Sequence, residues 1–265
     1  MPADELPPEQ GSIDETHRDD FVQSLARGFA VMRAFAGDRS TLTIAEVARR
    51  CGLTRAGARR ILLTLVELGY VGVERGRNFY LTGRALELGQ GFRAQPVWEA
   101  ARPVLQSVAT KLNETTSAGI LDGADVVYLL RIRSSRMLHW DLNPGDRLPA
   151  YASSMGRILL AALPTADLEK YLSETKLIKL TRFTIDDPAI LRKALEEVRQ
   201  QRWCCVQGEI EESISAVAVP LINSAGGTIA ALQVHLSTER ATARLIKNVI
   251  LPTLHEAAHT ITTMI

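Results

Sequence analysis

The chain has 265 residues, 46% of them hydrophobic, and a formal net charge of +1, which is enough for about two domains that each bury a core. No apolar run is long enough to cross a membrane and the acidic start is unlike a signal peptide, so a cytoplasmic protein without membrane contact is expected. Cys51, Cys204 and Cys205 lack metal-ligand spacing and read as small buried residues; adjacent Cys204 and Cys205 would face opposite sides of a strand, which argues against a redox pair.

Residues 1–20 carry seven acids against Arg18, with almost no large apolar side chains, the composition of a disordered tail. A helix is expected over 21–36, with Leu25, Phe29, Met32 and Phe35 on one stripe as a wall of the first domain. Thr43 and Glu46 have the spacing of a capping box, and Gly52 ends the short helix they open. Thr54 caps the next helix, in which Ala58, Ile61, Leu62, Leu65 and Val66 share one side while Ala56, Arg59 and Arg60 point away. Gly69 ends it. Residues 70–73 and 78–81 then alternate as two short strands around Glu74-Arg75-Gly76-Arg77.

Two helices joined by a glycine turn and followed by a basic-tipped hairpin make a winged helix-turn-helix, a reader of double-stranded DNA. The bland alternative is that such turns are common and most arginines are merely solvated. Charge distribution argues against it. Residues 21–92 hold eleven arginines, no lysine and five acids, a localised positive surplus of the kind that releases counterions from DNA. The small residues Ala56, Gly57 and Ala58 let the backbone approach a groove. Thr54, Arg55, Ala56, Arg59 and Arg60 would meet bases or phosphates, and Arg75 and Arg77 at the hairpin tip would hold the backbone.

Residues 83–94 read as a helix bearing Leu86, Leu88 and Phe92, broken before Pro96, and 97–112 as another. Strands are expected at 116–121 and 126–132, around the turn Asp122-Gly123-Ala124-Asp125, and at 203–207, 216–222 and 228–235. Helices are expected at 153–163, 166–172, 188–201 and from 238 onward. This mixture argues for an antiparallel sheet with helices on its faces, an α+β fold. Ser153 or Ser154 would cap a helix whose first amides, of Ser154, Met155 and Gly156, form an end that attracts a carboxylate. Arg131, Arg133, Arg136, His139 and Arg147 can neutralise an acid. Arg131 and Arg133 share one strand face, inner or outer.

His255-Glu256-Ala257-Ala258-His259 matches the text of zinc metalloproteases, in which two histidines bind metal and the glutamate acts as base. Only Thr260-Ile261-Thr262-Thr263-Met264-Ile265 follows, with no third ligand, and Leu245, Val249, Leu254, Ala258 and Ile261 fit a packed helix face. A zinc metallohydrolase using His255, Glu256 and His259 is therefore the minor alternative. No nucleophile elbow is visible, and no enzyme activity, metal or cofactor is expected.

The runs Ser24-Leu25-Ala26-Arg27-Gly28-Phe29, Leu42-Thr43-Ile44-Ala45-Glu46-Val47-Ala48, Gly52-Leu53-Thr54-Arg55, Leu65-Val66-Glu67-Leu68-Gly69-Tyr70 and Phe79-Tyr80-Leu81-Thr82 resemble the IclR family of bacterial transcription regulators. The text Thr54-Arg55-Ala56-Gly57-Ala58-Arg59-Arg60 is most similar to the branch controlling breakdown of protocatechuate and 4-hydroxybenzoate. Gly57 departs from it, standing where that branch has alanine. After the acidic tail (1–20) that composition marks as disordered, the resemblance, which runs from about Phe21 to the C-terminus, implies a winged helix-turn-helix domain (21–82), a linker helix (83–95) and a GAF-like effector-binding domain with an antiparallel sheet (96–265). It also implies a homodimer or dimer of dimers that binds an operator and responds to a small aromatic carboxylic acid. Carried over by position, the effector site comprises Met137, Trp140, Leu148, Ile214, Ala216, Gln233 and His235 beside the amides of Ser154, Met155 and Gly156. Gln207 departs from relatives that carry an acid near that position.

Overall fold

A computed structural model describes residues 21–35, 41–89, 96–134 and 142–264. The tail expected over 1–20 lies outside the described residues, as do the pocket candidates Met137 and Trp140 and the cations Arg136 and His139. The chain divides into two compact units between Arg93 and Ala94.

In the first unit, α1 (Gln23–Arg33) precedes a two-residue strand β1 (Leu42–Thr43), α2 (Ile44–Arg50) and α3 (Arg55–Glu67). Strands β2 (Val71–Glu74) and β3 (Asn78–Leu81) follow, and the small antiparallel sheet has the order β1-β3-β2. The core gathers Val31, Phe35, Leu42, Val47, Ala58, Leu62, Leu65, Val71 and Phe79. One expectation fails at α1. Leu25 and Phe29 are exposed, and the face that packs is Val31, Ala34 and Phe35 with Met32 at its margin. The linker also differs. Its described part is a 3-10 turn over Gly83–Gly89, and with Leu86 and Leu88 both exposed no packed face rewards α-helical spacing.

The second unit is built on a six-stranded antiparallel sheet of order β6-β5-β4-β9-β8-β7. Its strands are β4 (Thr115–Asp122), β5 (Asp125–Ile132), β6 (Arg147–Pro149), β7 (Cys204–Gln207), β8 (Ile214–Ile222) and β9 (Thr228–Ser237). The longer helices among its described residues are α4 (Pro96–Leu112), α5 (Ser154–Ala161), α6 (Thr165–Glu174), α7 (Pro188–Gln201) and α8 (Leu251–Met264). Alternation along the strands separates two cores. One face carries Ala118, Leu130, Val217, Leu232 and Val234 and is sealed by Trp98, Ala101 and Leu105 of α4 with Leu254, Ala257 and Ile261 of α8. The other carries Val126, Tyr128, Val206, Ala218 and Ala231 beneath Met155, Ile158 and Leu159 of α5. A π-helical turn at Ile246–Ile250 leads into α8, where Pro252 cannot donate a backbone hydrogen bond. Val249, expected in the packed face, is exposed there. Among the described residues, no helix is long and apolar enough to cross a membrane.

Candidate functional site

The two helices of the first unit are held by local chemistry. Thr43 accepts from the Glu46 amide at 3.4 Å while the Glu46 carboxylate accepts from the Thr43 amide at 2.8 Å, a complete capping box. Gly52 takes φ 61° in the turn, a conformation glycine enters without steric cost. The Thr54 hydroxyl accepts from the Gly57 amide at 3.1 Å and starts α3. A β-carbon at Gly57 would stand 3.1 Å from that hydroxyl, so alanine there crowds the cap.

Burial divides α3 cleanly. Ala58, Leu62 and Leu65 are buried, and Thr54, Arg55, Ala56, Arg59 and Arg60 are exposed on the opposite side. In the wing, the paired residues Glu74 and Asn78 are joined by the three-residue loop Arg75-Gly76-Arg77, in which Arg75 and Gly76 both have positive φ, 53° and 70°, and Arg75 and Arg77 are exposed. Gly72 lies across from Tyr80, whose ring would be 2.3 Å from any β-carbon added there. The exposed arginines of helix and wing thus belong to one small unit with no acid in the first turn of α3.

In the second unit, a 3-10 turn (Ala150–Ala152) leads into α5. Ser153 is its cap, accepting from the Gly156 amide at 3.0 Å. That bond occupies one of the amides expected to meet a ligand. Gly156 is required by packing, since an added β-carbon would lie 2.1 Å from the Ala150 carbonyl oxygen. The Met155 side chain is turned toward Gly119, its terminal methyl 3.0 Å from where a β-carbon there would sit. Of the residues carried over, Leu148, Ser154, Ile214, Ala216, Gln233 and His235 line one cavity, and Met155 and Gly156 do not. Tyr128, Ser153, Val206, Glu209 and Ile210 also line it. Sequence reasoning had not placed Tyr128 there, because an aromatic on an alternating strand reads as core.

Gln233 organises the polar floor. Its amide oxygen accepts from Ser154 Oγ at 2.9 Å, and its amide nitrogen donates to the Tyr128 hydroxyl at 2.8 Å and meets His235 Nε2 at 3.0 Å. The last contact makes Nε2 the acceptor and leaves the imidazole proton on Nδ1. Burial, and secondarily the charge of Arg131, lower the His235 pKa to about 3, so the ring is neutral at physiological pH. Burial pushes the Tyr128 phenol up to about 12, against hydrogen bonding from Gln233 and the charge of Arg131.

The cations sort themselves. Arg133 is exposed and donates to Asn143, and Arg147 binds Asp122 and Asp125. Arg131 pairs across the sheet with Ser117, which pairs with Gln233 on its other side, so Arg131 stands on the cavity face. Gln207 is exposed and donates to the Ala241 carbonyl at 3.1 Å. Two acids line the cavity, Glu209 and Glu211, and Glu209, two residues on from Gln207, is buried against Arg157 at 2.6 Å.

His255 and His259 project from the exposed side of α8, and Glu256 pairs with Lys111 at 3.5 Å. Among the described residues no group of three histidine, cysteine or acidic side chains can hold a metal ion.

A helix-turn-helix with a basic wing, carried on one chain with a sheet domain that encloses a small polar cavity, defines a DNA-binding regulator of the one-component type. The family models agree. Residues 24–75 match the IclR helix-turn-helix domain and residues 91–263 the bacterial transcriptional regulator IclR C-terminal domain. The chain belongs to the IclR family of bacterial transcriptional regulators, a class without enzymatic function. It is 38% identical over 241 residues to the Pca regulon regulatory protein of Pseudomonas putida, covering 90% of this chain and 82% of that one. It is 33% identical over 254 residues to the p-hydroxybenzoate hydroxylase transcriptional activator of Acinetobacter baylyi, covering 94% and 93%. A solved IclR homolog from Microbacterium hydrocarbonoxydans, complexed with 4-hydroxybenzoate, superposes with a TM-score of 0.80 at 28% identity, covering 91% of this chain and 98% of that one.

Proposed function

We propose that this regulator senses a small aromatic carboxylic acid and controls genes for the breakdown of aromatic compounds in the cytoplasm. The observation that carries the reading is the Ser154-Gln233-Tyr128-His235 network under the start of α5, in a chain similar to regulators named for such acids. A neutral imidazole, a phenol and two serines suit a ring hydroxyl and a carboxylate, while Leu148, Val206 and Ile214 suit the ring. The cavity encloses about 20 Å³, room for about one water and far less than a benzene ring needs. Binding an acid therefore widens the site, and that movement is the signal the head must receive.

On the DNA side, the proposed contacts are Thr54, Arg55, Ala56, Arg59 and Arg60 in the groove, with Arg75 and Arg77 on the flanking backbone. Domain limits of 21–82 and 96–265, joined by the 83–95 linker, fit this division of labour. Self-association as a dimer or dimer of dimers is part of the proposal. Phe21, Val22, Leu25 and Phe29 at α1, with Leu86 and Leu88 in the linker, are exposed apolar residues of the kind that subunit contacts cover.

The test is fluorescence anisotropy at fixed salt, using DNA from upstream of the gene, with and without protocatechuate or 4-hydroxybenzoate. Selective binding altered by either acid is the expected outcome, and selective binding that neither acid alters removes the effector half of the proposal. Arg59→Ala is expected to cost about 1–3 kcal/mol of binding and relax specificity at one position if it reads a base. Unchanged affinity and specificity would remove α3 from the interface.

A further inference from the structure

Ser117 lies in the centre of β4, opposite Arg131 of β5 on one side and Gln233 of β9 on the other. Directly opposed residues of antiparallel strands project from the same face. The three therefore form a row across the floor that carries the cavity, beneath the start of α5, from which Ser154 bonds Gln233.

Hydrogen-bond arithmetic isolates Ser117 within that row. Gln233 directs one amide hydrogen to Tyr128 and the other to His235, so it has none to give. Ser117 is fully buried, and among the described residues its hydroxyl has no hydrogen-bond partner. Along the same face Gly119, Ala218 and Ala231 offer it no side-chain polar group, and the Thr115 hydroxyl is taken up by the Ser134 amide at 3.1 Å. Burying a hydroxyl unmatched costs stability, and alanine would fill the position without that cost. Of the row, Gln233 lines the small cavity and Ser117 lies one strand behind it, so a native residue that carries this cost there points to a partner that arrives when a ligand widens the site.

We infer that Ser117 recognises a ring hydroxyl of the effector, so that the site selects hydroxybenzoates over benzoate. The inference rests on the aromatic-acid reading of this pocket and adds the group by which the acid is told from its unsubstituted parent. A serine hydroxyl donates to a phenol oxygen or accepts from a phenol proton. Arg131 on the same row adds positive potential that strengthens a bond to the phenol oxygen. A site built to bond a hydroxyl rejects the analogue lacking it, because its own buried group is then left unmatched.

The experiment is isothermal titration of the full chain and of Ser117→Ala with benzoate, 4-hydroxybenzoate and protocatechuate, together with thermal unfolding of both proteins. The wild type is expected to bind at least one hydroxylated acid about 10-fold or more tighter than benzoate, the worth of one good hydrogen bond. In Ser117→Ala that ratio is expected to shrink to within about threefold, through weaker binding of the hydroxylated acid. The unliganded variant should melt at or above the wild-type temperature. A ratio that survives the substitution, an absent wild-type preference, or a lower melting temperature of the variant would each overturn the role of Ser117 alone. Binding of none of the three acids by the wild type overturns the aromatic-acid reading and this inference with it.

Discussion

Deep burial turns His235 from a titrating base into a fixed neutral hydrogen-bonding group. With its pKa lowered to about 3, first by desolvation and then by Arg131, it does not change charge between pH 6 and 8. Effector affinity measured by titration should be flat across that window. Stability should not be flat below it. Between the ordinary histidine value of 6.5 and about 3, the unfolded chain takes up a proton that the folded chain refuses, so falling pH destabilises the fold by about 1.4 kcal/mol per unit from this group. Urea midpoints between pH 6.5 and 4 should fall more steeply for the wild type than for His235→Gln. His235 and Gln233 were legible from the resemblance, and the strand alternation was consistent with an inward face. Glu209 was not legible as part of the site, because its partner Arg157 lies 52 residues away and nothing local in Glu209-Ile210-Glu211-Glu212 marks one acid as buried.

Elements with their own start and stop signals could be read directly; those defined by distant partners could not. Thr43, Glu46, Gly52, Thr54 and Gly69 announce α2 and α3 within a few residues each. Strand β1, by contrast, exists only because Leu42 and Thr43 find Phe79 and Asn78 across the sheet. The face of α1 was misassigned for a related reason, since a stripe of apolar residues does not say which of them meets the core. The loop after β7 shows what a distant partner contributes. Glu209 accepts from Arg157 Nη2 and from the Ile185 amide, and Thr181 and Thr184 donate to the carbonyls of Gly208 and Glu209. One cavity wall is thereby fixed to α5 and to the segment before α7. Removing one charge leaves the other buried, so Glu209→Gln should lower unfolding free energy by about 3–5 kcal/mol in urea titrations. Arg84 has a similar but lighter part, donating to the Leu68 carbonyl at 3.0 Å at the end of α3, where its replacement by methionine should cost about 1 kcal/mol.

At the scale of the molecule, the small net charge conceals a basic head, and DNA affinity should fall steeply with salt. Each phosphate-contacting arginine removed should flatten the log-log slope by about 0.9, whereas a base-reading arginine should alter sequence preference instead. The two-unit division was legible because charge, helix signals and strand signals change together near residue 95. The order of the six strands was not, since nothing local in β4 specifies that its neighbour is β9. That pairing has a temporal meaning. Helices α2 and α3 and the wing complete their contacts within a short stretch of chain, and the head can fold while the rest is still being synthesised. Strand β4 emerges early and must wait for β9, with Ser117 facing Gln233, and α4 must wait for α8 to seal its face. Until then the nascent chain presents a finished DNA-binding head tethered to an open sheet of exposed valines and leucines. In refolding from urea the head should regain its structure first, and the slow phase, together with the tendency to aggregate, should belong to the second unit.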